Sequence, residues 1–126
     1  MALRVLLVDD DTDIRTIFHM AFQAAGFEVR EAVDGLNAIG ILQIEEFDAI
    51  VLDMSMPRVD GVSALDTFRI LKNGRTVPVI AVTALDDPVV EKRAMEAGAA
   101  ALLHKPLSPN DVVAEVQKHI DAANAS

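Results

Sequence analysis

Two kinds of apolar segment alternate along the chain. Val5-Leu6-Leu7-Val8, Ala49-Ile50-Val51-Leu52, Val77-Pro78-Val79-Ile80-Ala81-Val82 and Ala99 to Leu103 are short continuous runs. Phe27-Glu28-Val29-Arg30-Glu31-Ala32 alternates instead, the habit of an edge or half-covered strand. Continuous runs of this length, rich in β-branched residues, suit strands buried on both faces, as in parallel sheets.

Between the runs the spacing becomes helical. Ile14, Phe18, Ala21, Phe22 and Ala25 follow the i, i+4, i+7, i+8 pattern, and Gly26 sits where that helix would end. Leu36, Ile39, Ile41 and Leu42 mark a second helix, opened by Asp34 as N-cap. Asp60 is placed to cap a third, carrying Val62, Leu65, Phe68 and Leu71 and closed by Asn73-Gly74. A fourth opens at Asp86-Asp87-Pro88 and stops at Gly98. The fifth has the clearest start, Ser108-Pro109-Asn110-Asp111, followed by a stripe of Val112, Val113, Val116 and Ile120. With strands starting near residues 3, 27, 48, 77 and 100, each gap has room for one crossover helix. The pattern predicts an α/β fold, a doubly wound (βα)5 unit with a five-stranded parallel sheet and helices on both faces. No repeat or linker divides residues 1–126, so they read as a single domain ending in a small, polar tail from Asp121.

Composition narrows the function classes. With 126 residues, 52% hydrophobic and 25% charged, the chain is long and apolar enough for one packed core and falls outside the disordered class. Eleven Lys and Arg against 20 Asp and Glu give a net charge of −9, a field that repels nucleic acid and anionic membrane as direct partners. The absence of Cys excludes disulfides, thiol nucleophiles and thiolate metal sites. No apolar run approaches the ~20 residues of a membrane span. Asp9-Asp10-Asp11 also stops the opening run too early for a signal peptide, so a cytoplasmic domain is expected.

Ligands of open parallel sheets bind beyond the carboxyl ends of the strands. There the first strand delivers Asp9, Asp10 and Asp11, the third Asp53, the fourth Thr83, and the fifth Lys105-Pro106. The second offers only the cap Asp34. Carboxylates converging within a few Å repel one another unless a cation joins them. A small oxygen-only set suits a hard ion such as Mg²⁺, a lysine supplies a point charge, and a threonine hydroxyl can bond a phosphate oxygen. These parts fit phosphoryl transfer with a carboxylate as nucleophile. The chain carries no Gly-rich phosphate loop, which argues against a nucleotide site.

Taken together, these residues resemble the response-regulator receiver domains, the CheY-like family of two-component and phosphorelay signalling. The motifs are Val5-Leu6-Leu7-Val8-Asp9-Asp10, then Asp48-Ala49-Ile50-Val51-Leu52-Asp53-Met54-Ser55-Met56-Pro57 with Asp60-Gly61, then Val79-Ile80-Ala81-Val82-Thr83-Ala84, then Lys105-Pro106. The likeness spans residues 3–122 and implies a flavodoxin-like strand order of 2-1-3-4-5. It implies that Asp53 accepts a phosphoryl group from a histidine kinase or histidine phosphotransfer protein. Asp10 would be a direct Mg²⁺ ligand, with Asp9 acting mainly through water, Asp53 itself, and Ser55 through its backbone carbonyl. Thr83, with Ala84 beside it, and Lys105 would contact the phosphoryl group, and the Lys105-Pro106 bond would be cis. Output would pass to a protein effector through the fourth helix, fifth strand and fifth helix. Such a domain catalyses its own phosphorylation but turns over no separate substrate, so it is not an enzyme in the ordinary sense.

The chain also departs from the family pattern. A Tyr or Phe is usual three residues before the active-site Lys, where Leu102 stands here, so coupling of Thr83 to an aromatic rotamer cannot operate in its usual form. Ser55 and Leu85 occupy the positions that tune phosphoaspartate lifetime in the family. A second apolar stripe on the first helix, Ile17, Met20 and Ala24, is either buried or holds a partner. Ile14, Ile17, Pro106 and Leu107 are the candidates for docking the phosphodonor. His19, His104 and His119 lack any motif and read as surface or core residues. Two rival readings are a haloacid-dehalogenase-type phosphatase and a flavodoxin-like FMN binder. The first expects an acid where Ser55 stands, and the second expects a hydroxyl-rich phosphate loop where three acids stand. A degenerate receiver acting as a scaffold is the third, and the presence of Asp53, Asp10 and Lys105 counts against it.

Overall fold

The computed structural model describes residues 2–54, 71–72, 75–84, 88–96 and 98–124. In chain order the elements are β1 (Arg4–Val8), α1 (Thr12–Ala24), β2 (Glu28–Ala32), α2 (Gly35–Leu42) and β3 (Ala49–Asp53), then β4 (Leu71–Lys72) and β5 (Arg75–Thr76). They continue with β6 (Val79–Thr83), α3 (Pro88–Glu96), β7 (Ala101–His104) and α4 (Pro109–Asn124). Five strands form one parallel sheet in the order β2-β1-β3-β6-β7, which is the expected 2-1-3-4-5.

The continuous apolar runs are continuous because both sides of the sheet are covered. Alternate residues of a strand face opposite ways. Val5, Leu7, Val51, Ile80 and Val82 pack with Phe18 and Phe22 of α1 and Val112, Val116 and Ile120 of α4. Leu6, Val8, Ile50, Leu52 and Ala81 join the opposite core, with Ala38 and Ile41 of α2 and Ala94 of α3. β2 lies at the sheet edge and keeps its alternation, with Glu28 and Arg30 exposed and Ala32 buried. At the bottom of the first layer, the Phe22 and Phe27 rings meet edge to face at 5.1 Å between centroids.

Helix starts follow their caps. The Asp11 side chain accepts from the Asp13 and Ile14 amides, and Asp34 accepts from Asn37. Gly26, just past α1, has a φ of +93°, a conformation most L side chains avoid.

The structure departs from the sequence reading in three places, the first being the polar tail expected from Asp121, where α4 instead continues to Asn124. Leu36, expected on the buried stripe of α2, is 80% exposed, while Gly35, Ala38 and Ile41 face the sheet. α2 is apolar nearly all round, so its periodicity does not single out one face, and Gly35, Ala38 and Ile41 are the residues it buries. Leu71, expected to lie in a helix, pairs instead with Thr76 in a short antiparallel ladder, with Lys72 opposite Arg75. In the sequence Asn73-Gly74 is a dipeptide typical of turns, a signal that competes with weak helical periodicity; both residues lie outside the described ones. The rest of that expected helix, from Asp60 to Phe68, lies outside the described residues, as do Ser55, Leu85, Asp86 and Asp87.

Candidate functional site

Strand order and register build the site. The strand order reverses at β1, with β2 added on one side and β3 on the other, so a crevice opens at the carboxyl ends of β1 and β3. Val8 lies opposite Leu52, which brings Asp9, the residue after β1, next to Asp53, the last residue of β3. One carboxylate oxygen each from Asp9, Asp10 and Asp53 lies within 4.8 Å of the others. Asp9 and Asp53 are buried, at 5% and 4% exposure, and Asp10 is open to solvent.

From β7 the Lys105 ammonium reaches this group, 3.3 Å from Asp53 Oδ2 and 3.6 Å from Asp9 Oδ2. Its backbone amide donates to the Thr83 carbonyl at 2.8 Å, tying the ends of β6 and β7 together. The Lys105-Pro106 peptide is cis. Thr83, the last residue of β6, is fully buried, and Ala84 after it is exposed.

Charge is under strain in this cluster. Burial pushes the Asp9 carboxyl up to about 6, and the negative charge of Asp53 adds to the effect. The Asp11 amide, which donates to Asp9 Oδ1 at 2.9 Å, and the Lys105 ammonium pull the other way but do not cancel it. One ammonium among three carboxylates leaves net negative charge in a partly buried, oxygen-only donor set, a fit for a hard divalent cation.

Asp9, Asp10, Asp53, Thr83, Ala84 and Lys105 therefore gather at one edge of the sheet, as the strand ends implied. Of the expected docking residues, Ile17 and Pro106 are exposed, whereas Ile14 and Leu107 are half-buried against the core between α1 and α4. Met20, from the second stripe of α1, is also exposed. Leu102 is half-buried on β7 against the α2–α3 layer. The three histidines each meet an acid: His19 with Glu31, His104 with Glu91 of α3, and His119 with Glu115.

The sequence reading missed Arg15. It is 9% exposed, donates through Nη1 to the Asp9 carbonyl at 2.7 Å and through Nε to Glu31 Oε1 at 2.9 Å. The signal was its position, three residues before Phe18 and seven before Phe22, on the buried face of α1.

Comparison with known proteins agrees with this geometry. Residues 5–117 match the family model described as the response regulator receiver domain. The transcriptional regulatory protein PrrA of Mycobacterium tuberculosis is 40% identical over 115 residues, covering 90% of this chain and 48% of that protein. The chain thus spans about half the length of that curated relative. Among solved structures, a CheY-like receiver domain protein from Methanospirillum hungatei superposes with a TM-score of 0.91 at 26% identity, covering 99% of this chain and 98% of the other. The chemotaxis response regulator CheY4 of Vibrio cholerae gives 0.84 at 30% identity, covering 94% and 98%. With the family model matching nearly the whole fold and the acidic cluster at the expected sheet edge, the chain belongs to the response regulator receiver domains.

Proposed function

We propose that this receiver domain takes a phosphoryl group onto Asp53 from a phosphohistidine donor, a histidine kinase or histidine phosphotransfer protein, with Mg²⁺ held by Asp9, Asp10 and Asp53. The observation that carries this reading is the convergence of the three carboxylates with the Lys105 ammonium beside Asp53. A carboxylate oxygen of Asp53 attacks phosphorus, the donor's P–N bond breaks, and the nitrogen keeps the electron pair. The product is an acyl phosphate on Asp53 and a free imidazole on the donor. A bound hard cation would neutralise the carboxylates and the charge on the phosphoryl oxygens.

The residues of the chain have separate tasks in this scheme. Lys105, already within 3.3 Å of Asp53, holds the acceptor carboxylate and offers its charge to the incoming phosphoryl oxygens. Thr83 and Ala84 stand on the neighbouring strand end to meet the phosphoryl group. Burial of Asp53 excludes most water from the acceptor, which lengthens the life of a hydrolysable anhydride. Output then passes to a protein partner over the face of α3, β7 and α4. On this reading residues 1–126 form one cytoplasmic receiver domain, whose own phosphorylation is its only chemistry. The match to half of a transcriptional regulator supports a downstream role in transcription, carried by a longer chain or by a separate partner.

The test is intact-protein mass spectrometry after incubation with a small acyl phosphate, with and without Mg²⁺. One added phosphoryl group that requires Mg²⁺ and is absent from Asp53→Asn supports the reading. An adduct that persists in Asp53→Asn overturns the assignment of the acceptor.

A further inference from the structure

The Asp9–Asp10 peptide is gripped from three sides. Its amide neighbour, the Asp9 N–H, donates to the Ala32 carbonyl on β2 at 3.2 Å. The Asp9 side chain accepts from the Asp11 amide at 2.9 Å. The Asp9 carbonyl, which belongs to the peptide bond joining the two acids, accepts from buried Arg15 at 2.7 Å. Arg15 is in turn fixed by Glu31, whose other carboxylate oxygen meets His19 Nδ1 at 2.8 Å. The orientation of that peptide plane sets the direction in which both the Asp9 and the Asp10 side chains leave the backbone. Strand pairing alone fixes only the Asp9 amide, because β1 ends at Val8.

We propose that Arg15, held by Glu31, is a positioning residue that orients the Asp9–Asp10 peptide so that both carboxylates converge with Asp53 on the cation. The inference rests on the Mg²⁺ reading above and adds a residue from α1 that touches neither cation nor phosphoryl group. Glu31 is part of the device for an electrostatic reason. A buried guanidinium without its carboxylate would be an unpaired charge, and it would rearrange towards solvent or towards the acidic cluster itself. Outer partners of this kind commonly change metal affinity 10–100-fold when removed.

The test measures Mg²⁺ affinity by calorimetric titration, and metal-free melting in parallel, for the wild type, Arg15→Ala, Arg15→Lys and Glu31→Gln. Arg15→Ala is expected to weaken Mg²⁺ binding about 10-fold or more while remaining folded at the titration temperature. Arg15→Lys, whose single ammonium cannot match the two-pronged contact, is expected to recover part of the loss. Glu31→Gln keeps a neutral acceptor for Arg15 and is expected to lose several-fold. Should Arg15→Ala fail to fold, Arg15→Lys and Glu31→Gln decide by the same measure. Affinities within twofold of the wild type, with only the melting temperature lowered, would mean a purely structural ion pair and overturn the inference. A wild type that binds no Mg²⁺ would instead overturn the cation reading, and this inference with it.

Discussion

Asp9 gives the most quantitative handle on the site. Its carboxyl titrates at about 6 in the folded protein against an ordinary 3.8, chiefly because it is buried and secondarily because Asp53 is charged beside it. The folded state therefore holds this proton more tightly than the unfolded chain does. In metal-free protein the protonated acid is fully in place below pH ~4, and stability falls as the pH rises from there through 6. Above that the carboxylate is charged in both states, and the penalty is constant. The gap corresponds to roughly 3 kcal/mol, at about 1.4 kcal/mol per pH unit. Asp9→Asn carries a neutral side chain at every pH and isolates the effect from other titrating groups. Thermal or urea unfolding of the two proteins in chelator, from pH 4 to 7.5, is the assay. The wild type should lose about 2.5 kcal/mol of that gap relative to Asp9→Asn across this range, on the order of 10 °C in melting temperature for a domain of this size. Stability curves that run parallel, or a wild type that gains on the variant as the pH rises, would refute the claim that the metal-free acid cluster is electrostatically strained.

Three further outcomes follow from particular contacts. Lys105→Ala removes the ammonium between Asp9 and Asp53 and should slow phosphorylation by acyl phosphate about 10²-fold, read as the initial rate of adduct formation. Phe22→Ala empties a fully buried position against Phe27 and should cost about 3–5 kcal/mol by urea unfolding, with the acidic cluster unchanged. Gly26→Ala meets open space but must hold a φ of +93°, so it should cost ~1–2 kcal/mol through backbone strain alone.

Much of this molecule is legible in the order of its residues because each chemical group sits at a strand end. Asp9, Asp10, Asp53, Thr83 and Lys105 each follow or close a continuous apolar run, and parallel topology brings such ends together. Asp34 is equally readable as a cap, since a short acid before a helical stripe has few other uses. Leu36 is different. In a helix apolar on nearly every side, periodicity cannot say which face the sheet takes, and the buried face is that of Gly35, Ala38 and Ile41. Leu71 fits a helical periodicity yet pairs with Thr76, because spacing alone does not show where a helix gives way to the turn-prone Asn73-Gly74 sequence. The Arg15–Glu31 pair was invisible for another reason: its partners are 16 residues apart and meet only once β2 has docked beside β1. A charged residue on the apolar face of a helix is the trace such a pair leaves in a sequence.

The central claim is that Asp53, and not its acidic neighbours, carries the phosphoryl group. Borohydride reduces an acyl phosphate to an alcohol, which turns a phosphorylated aspartate into homoserine and leaves a free carboxylate untouched. Protein treated with acyl phosphate and Mg²⁺, then reduced, digested and sequenced by tandem mass spectrometry, reports the acceptor directly. The expected result is homoserine at position 53 alone, and none when Mg²⁺ is withheld. Homoserine at position 9, 10 or 11 with residue 53 unmodified would contradict the account.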